Sequence, residues 1–253
     1  MIETTPLADS SQPRTSTTGP TGARSAVPAR WAVVALLAIA CLAGAAGSEA
    51  IHRTQGLFHV DPGRLGMPPH PPPIEREMLL YTIANHAVGF GLLGLLICGG
   101  LGFVWGALVG SYGTAVRALV VGGSFGLFFG AAGGAAAFVA YESLVAIPLD
   151  ALFKAMLIHL PNWLLLACAL AIVVALFRRH GISTQRLFVS ALVAGSMAAL
   201  LYPLLAVVLF TAANSDRPIP SGLGLRLLCF VLGGIALAIV ASRWLRSVAP
   251  SAE

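Results

Sequence analysis

Five residues able to bind a metal ion or pass a proton lie at or near the ends of this chain's apolar segments. Glu49 and His52 stand three apart, so a helix puts them on one face. His86 follows Asn85 about two turns into a long apolar run. Glu142 closes another run, and His159 shortly precedes Asn162 at the opening of a third. Imidazole and carboxylate ligands suit Zn, Fe, Ni or Mn. Because histidine titrates near neutral pH, the same groups could pass protons. The functional reading is a shallow cavity lined by Glu49, His52, His86, Glu142 and His159, with His86 the deepest. A plainer reading competes with it. Glu49, His52, Glu142 and His159 would then mark span ends in the headgroup region, and His86 would donate one hydrogen bond to a backbone carbonyl across a helix interface. No HxxxH, HExxH or CxxC spacing strengthens the metal reading.

The segments carrying these residues are those of a membrane protein. The chain has 253 residues, of which 57% are hydrophobic and 10% charged, with mean hydropathy +0.87. Globular chains carry about 25% charged residues, so the deficit excludes an ordinary soluble domain and fits a bilayer-embedded one. The net charge is +5, but the basic residues stand in short runs beside apolar segments. That is the pattern of topology determinants and not of a nucleic-acid interface. Cys41, Cys98, Cys168 and Cys229 all lie within apolar stretches and read as small buried residues. The usual nucleotide and c-type haem motifs are absent, and the sequence names no cofactor.

Six spans are expected, about 31–50, 79–101, 118–141, 161–177, 187–210 and 223–242. Residues 1–30, rich in Ser, Thr, Pro, Gly and Ala, read as a disordered cytoplasmic leader. The first span resembles a signal peptide in its small residues after Leu42. Its long leader and apolar run favour an uncleaved span in a 31–246 transmembrane domain. Residues 51–78 form a loop with a proline cluster, Pro68 to Pro73, that favours extended polyproline structure. The second apolar run continues to Gly110, too long for a straight crossing, so it must tilt, bend near Gly99-Gly100 or protrude. Arg117 separates it from the third span. Pro161 suits the first turn of the fourth, with 151–160 a separate interfacial helix, and Pro203 is a place for the fifth to bend.

With the N-terminus inside, Lys and Arg number nine on the cytoplasmic side against six outside, with Arg178-Arg179-His180 the strongest point. The bias places both termini in the cytoplasm, at a bacterial inner (plasma) membrane. All histidines except His180 then fall outside, with His59 and His70 in the first outer loop.

Glycine supplies the clearest packing signal. Gly122, Gly126, Gly130 and Gly134 stand four apart, and Gly102, Gly106 and Gly110 make a second ladder. Glycine costs about 1 kcal/mol relative to alanine within a helix in water, but in a bilayer such a stripe admits a second backbone. The expected partner of the longer ladder is the shorter one. A four-residue step advances about 40° around the axis, which favours a right-handed crossing. Continued by fours, the stripe reaches Phe138 and Glu142. Gly122-Gly123-Ser124-Phe125-Gly126 matches G-x-S-x-G, but the pattern means a nucleophile only at a strand-to-helix elbow, which an apolar helix lacks.

The expected fold is therefore an all-α polytopic bundle of about six transmembrane helices. The first functional expectation is a permease or transport subunit for a metal ion or small solute. The second is a non-catalytic membrane subunit supporting assembly of a larger complex. An intramembrane enzyme ranks last, because no nucleophile is paired with a base. The expected partners are the lipid bilayer, other membrane subunits or a second copy, and no nucleic acid.

Overall fold

A computed structural model of the chain describes residues 29–61, 63, 72–177, 183–210 and 217–248. Residues 1–28 of the expected leader, Pro68 to Pro71 with His70, Arg178-Arg179-His180 and the acid Asp216 lie outside the described residues, while Ala29 and Arg30 already belong to the first helix. Six helices follow in order: α1 (Ala29–Thr54), α2 (Pro72–Val109), α3 (Tyr112–Val145), α4 (Ala151–Phe177), α5 (Thr184–Leu209) and α6 (Leu223–Val248). Each is long and apolar enough to cross a membrane, and together they form an all-helical bundle.

Helix ends follow caps more than charges. Ser111 ends the two-residue turn after α2 and caps α3, its side chain accepting from the Thr114 N–H at 3.4 Å. Arg117 therefore lies inside α3, on an exposed face, and does not separate two spans. Its long aliphatic stem lets the charge reach water from within a helix. Asp150 caps α4 in the same way, its carboxylate accepting from the N–H groups of Leu152 at 2.9 Å and Phe153 at 3.2 Å. Residues 151–160 are thus the first turns of α4 and not a separate helix, and Pro161 sits in the interior. Proline is tolerated there because neighbouring helices and local adjustments satisfy the backbone groups it frees. Pro72 and Pro73 open α2 instead of an extended segment, the first-turn position that suits proline. At 38 residues α2 is about 57 Å long, well beyond a roughly 30 Å hydrocarbon core.

Neighbours in sequence are neighbours in space, and α6 closes the ring on α1, while α2 also touches α4 and α6. The seam between α2 and α3 is built from bare backbone. A Cβ on Gly122 would stand 2.5 Å from the Cys98 carbonyl oxygen, and one on Gly134 2.5 Å from that of His86. Gly126 and Gly130 meet the carbonyls of Gly94 and Phe90 at still shorter range. Farther along, Gly102 faces the Ala118 carbonyl and Gly106 that of Thr114, at 2.7 and 2.8 Å. In all six contacts the two residue numbers add to 220, the mark of one antiparallel register.

The longer ladder therefore pairs with 86–98 and not with Gly102–Gly110. The reason is the tight turn at Gly110-Ser111, which brings each residue of α3 opposite the one equally far back along α2. Gly110 itself stands against the Thr114 side chain at the turn. Because the stripe winds, contact held through five four-residue steps requires the helices to wrap around each other; straight rods would part after a few turns.

The same device recurs where α1 meets α6. Cβ atoms on Gly44 and Gly234 would stand 2.8 and 2.9 Å from the carbonyls of Phe230 and Ala40. Gly195 of α5 lies as close to the Trp163 carbonyl of α4. Between the seams Trp105, Trp163, Tyr202, Phe90 and Phe230 fill a fully buried core. Leu36, Ala40, Ala43 and Ile51 make α1 an integral part of that core. Large apolar side chains such as Leu42, Phe128 and Val208 face outward, as contact with lipid requires.

A methyl group at Gly126 collides with backbone, whereas one at Gly123 meets only Leu95 at ordinary contact distance, its side chain at 3.7 Å and its carbonyl oxygen at 4.0 Å. Gly126→Ala should therefore cost about 2 kcal/mol by overpacking. Gly123→Ala should leave stability unchanged or raise it by up to about 1 kcal/mol through helix propensity. Reversible unfolding in mixed detergent micelles measures both, and equal effects would contradict the seam.

Candidate functional site

The helix ends away from the Gly110-Ser111 turn leave a cleft of about 240 Å³. Its polar wall comes from Gln55 just after α1, His86 on α2, Tyr141 on α3 and Arg217 before α6; Phe138, Pro218 and Ile219 supply the apolar surface. Four separate parts of the chain thus meet here, and the α2–α3 seam sets their spacing. The His86 carbonyl rests against Gly134, one turn from Phe138. That register stacks the His86 and Phe138 rings, with centroids 4.7 Å apart and planes tilted by 37°. Tyr141 extends the aromatic row, 6.3 Å from Phe138.

His86 is half-buried, and its Nδ1 lies 2.8 Å from the Thr82 carbonyl oxygen. A carbonyl can only accept, so Nδ1 carries the proton and donates. In the neutral ring Nε2 is then a lone-pair acceptor. The hydrogen bond expected from His86 across a helix interface is instead made within its own helix. Asn85 has a different task. Its Oδ1 accepts from the Phe58 N–H and its Nδ2 donates to the Phe58 carbonyl, both at 2.9 Å. This clamp ties the segment after α1 to α2, and Phe58 stacks on Tyr81 with centroids 6.4 Å apart.

The other expected site residues are scattered. Arg53 Nε donates to Glu49 at 2.7 Å, in an exposed pair one helical turn apart, and His52 is exposed beside it. Glu142 is exposed and forms no part of the cleft wall, although Tyr141 next to it does. His159 is buried within α4, its ring edge-to-face with Tyr202 of α5 at 4.7 Å. Among the described residues, no three His, Cys, Asp or Glu side chains stand together in a way that could hold a metal ion. Ser124 is an exposed residue of a continuous helix, so the serine motif forms no elbow.

Sequence reasoning missed Gln55, Tyr141 and Arg217. Only folding brings these loop and helix-end residues to His86. Sequence reasoning marked Asn162 only as part of a span's opening and did not foresee the burial of Asn162 or Arg226. Asn162 is buried against Gly133 with neither its oxygen nor its nitrogen hydrogen-bonded. Arg226 is buried at the start of α6, its Nη1 donating to the Ser221 carbonyl at 3.2 Å.

The fold defines an integral membrane protein of six apolar helices, with a polar cleft at one end. In comparison with known proteins, the chain matches no family model, no curated protein and no solved structure.

Asn85→Ala should release the segment after α1. It removes two hydrogen bonds, each worth about 1 kcal/mol. Hydrogen exchange at the Phe58 amide should accelerate by tenfold or more, while amides at the α2–α3 seam stay protected. Unchanged exchange at Phe58 would show that the clamp does not hold the loop.

Proposed function

We propose that the protein is a permease, or the solute-binding subunit of one, and that a small polar solute first meets it in the cleft at His86. The single supporting observation is the cleft itself, a concave space with a few convergent polar groups on an apolar wall, the usual form of a small-molecule site. On this reading both termini are cytoplasmic, from the excess of Lys and Arg on that side, so the cleft opens outward. A small solute suits this cleft better than a metal ion. Among the described residues, its wall holds one histidine, no carboxylate or thiol, and the cation Arg217.

The alternative role, assembly with other subunits, drew on the glycine faces. Those faces are occupied inside the chain: Gly122, Gly126, Gly130 and Gly134 against α2, and Gly102 and Gly106 against α3. They leave no glycine surface there for a second subunit.

Depletion of solutes from the medium by cells making the protein tests the reading. Wild-type cells should remove at least one small polar solute several-fold faster than cells making Arg217→Gln or His86→Ala at equal membrane abundance. Identical depletion profiles, with all three proteins present in the membrane, would refute the transport role.

A further inference from the structure

The cleft's donors and acceptors specify a class of ligand. Among the described residues, Arg217 is exposed, makes no ion pair and shares the cleft wall with no acid. A ligand carrying a carboxylate or a comparable oxyanion can take that guanidinium, whereas an organic cation meets repulsion. His86 sets a second requirement. With Nδ1 donating to Thr82, the neutral ring offers Nε2 as an acceptor, so a bound molecule must bring its own O–H or N–H. Phe138, Pro218 and Ile219 ask for an apolar body between the two polar ends. The volume corresponds to about eight water molecules at ~30 Å³ each, which suits a compact organic acid and not a nucleotide.

We infer that the cleft binds a small organic anion bearing a hydrogen-bond donor, such as a 2-hydroxy acid, with its anionic group on Arg217 and its donor on His86 Nε2. This rests on the reading of the cleft as the solute site. The two polar contacts divide the work. Arg217 selects sign of charge, and His86 selects for the donor. A site that hydrogen-bonds a hydroxyl discriminates against the analogue lacking it, because its own polar group is then left unpaired.

The test uses full-length protein in lipid nanodiscs, titrated calorimetrically with four probes: 2-hydroxy-4-methylpentanoate, 4-methylpentanoate, 3-methylbutylammonium and zinc ion. The hydroxy acid should bind about tenfold more tightly than its deoxy partner, the effect of one hydrogen bond of roughly 1.4 kcal/mol. The ammonium probe and zinc should not bind at the cleft. Arg217→Gln should abolish binding of both acids. His86→Phe keeps a ring to stack on Phe138 and should remove only the tenfold preference. Equal affinity for the two acids, binding of neither, or binding of the ammonium probe or zinc that His86→Phe removes would each overturn the ligand class. Uptake into proteoliposomes separates this inference from the transport reading. Binding of the hydroxy acid without uptake sinks transport alone, whereas uptake of an amine or metal ion that Arg217→Gln leaves intact sinks the anion assignment alone.

Discussion

The contact of bare backbone between α2 and α3 is the constraint on which the rest of the structure depends. In a bilayer, apolar side chains gain little by leaving lipid for another helix, so association rests on close van der Waals packing. Glycine at four-residue spacing removes the side chains that would hold two backbones apart. From His86 and Gly134 at one end to Gly106 and Thr114 at the other, each omitted Cβ is replaced by a carbonyl of the opposite helix. Such a seam has little freedom to slide, since any shift drives a side chain into backbone. The register it fixes carries His86 to Phe138, and so determines one wall of the cleft.

The remaining helices are arranged around this pair. α4 lies against both members, Gly94 and Gly102 admitting Leu166 and Val173 from it, while the Cys98 thiol donates to the Leu166 carbonyl at 3.6 Å. α1 and α6 form a second pair through Gly44 and Gly234, and α5 joins α6 through the Trp244 indole N–H donating to Ser190 Oγ at 2.8 Å. Tight backbone seams thus alternate with aromatic filling, as where Gly233 gives room to the Trp163 ring. The polar opening of the bundle lies where the seam ends and the chain segments after α1 and before α6 cover it.

The existence of the six spans was legible because predominantly apolar stretches of 17 to 24 residues with almost no charge admit few other readings. Their ends were not, since Arg117 and Pro161 attract attention while Ser111 and Asp150, short polar side chains that cap by accepting backbone N–H bonds, do the terminating. The ladders were legible as packing surfaces, but their mutual register was not, although it follows from the turn at Gly110-Ser111 once that turn is recognised. His86 stood out as a polar residue deep in an apolar run, and it does line the cleft. Glu49, His52 and Glu142 looked equivalent in sequence, yet they are exposed span-end residues. Gln55 and Arg217 carried no local signal, because their proximity to His86, 31 and 131 residues away in sequence, is a product of helix pairing.

Cross-linking tests the register of the α2–α3 seam most directly. Leu95→Cys and Gly123→Cys place two thiols where the Leu95 side chain meets the Gly123 position at 3.7 Å, beside the line of carbonyl contacts. Mild oxidation in native membranes, followed by mass-spectrometric mapping of the linked peptides, should give an intramolecular 95–123 disulfide. Little should form when Gly123→Cys is combined instead with Ala107→Cys, about three turns along α2. Efficient 107–123 linkage with none at 95–123 would mean that the longer ladder faces Gly102–Gly110 after all. In that register His86 would not meet Phe138, and the cleft would not exist as described.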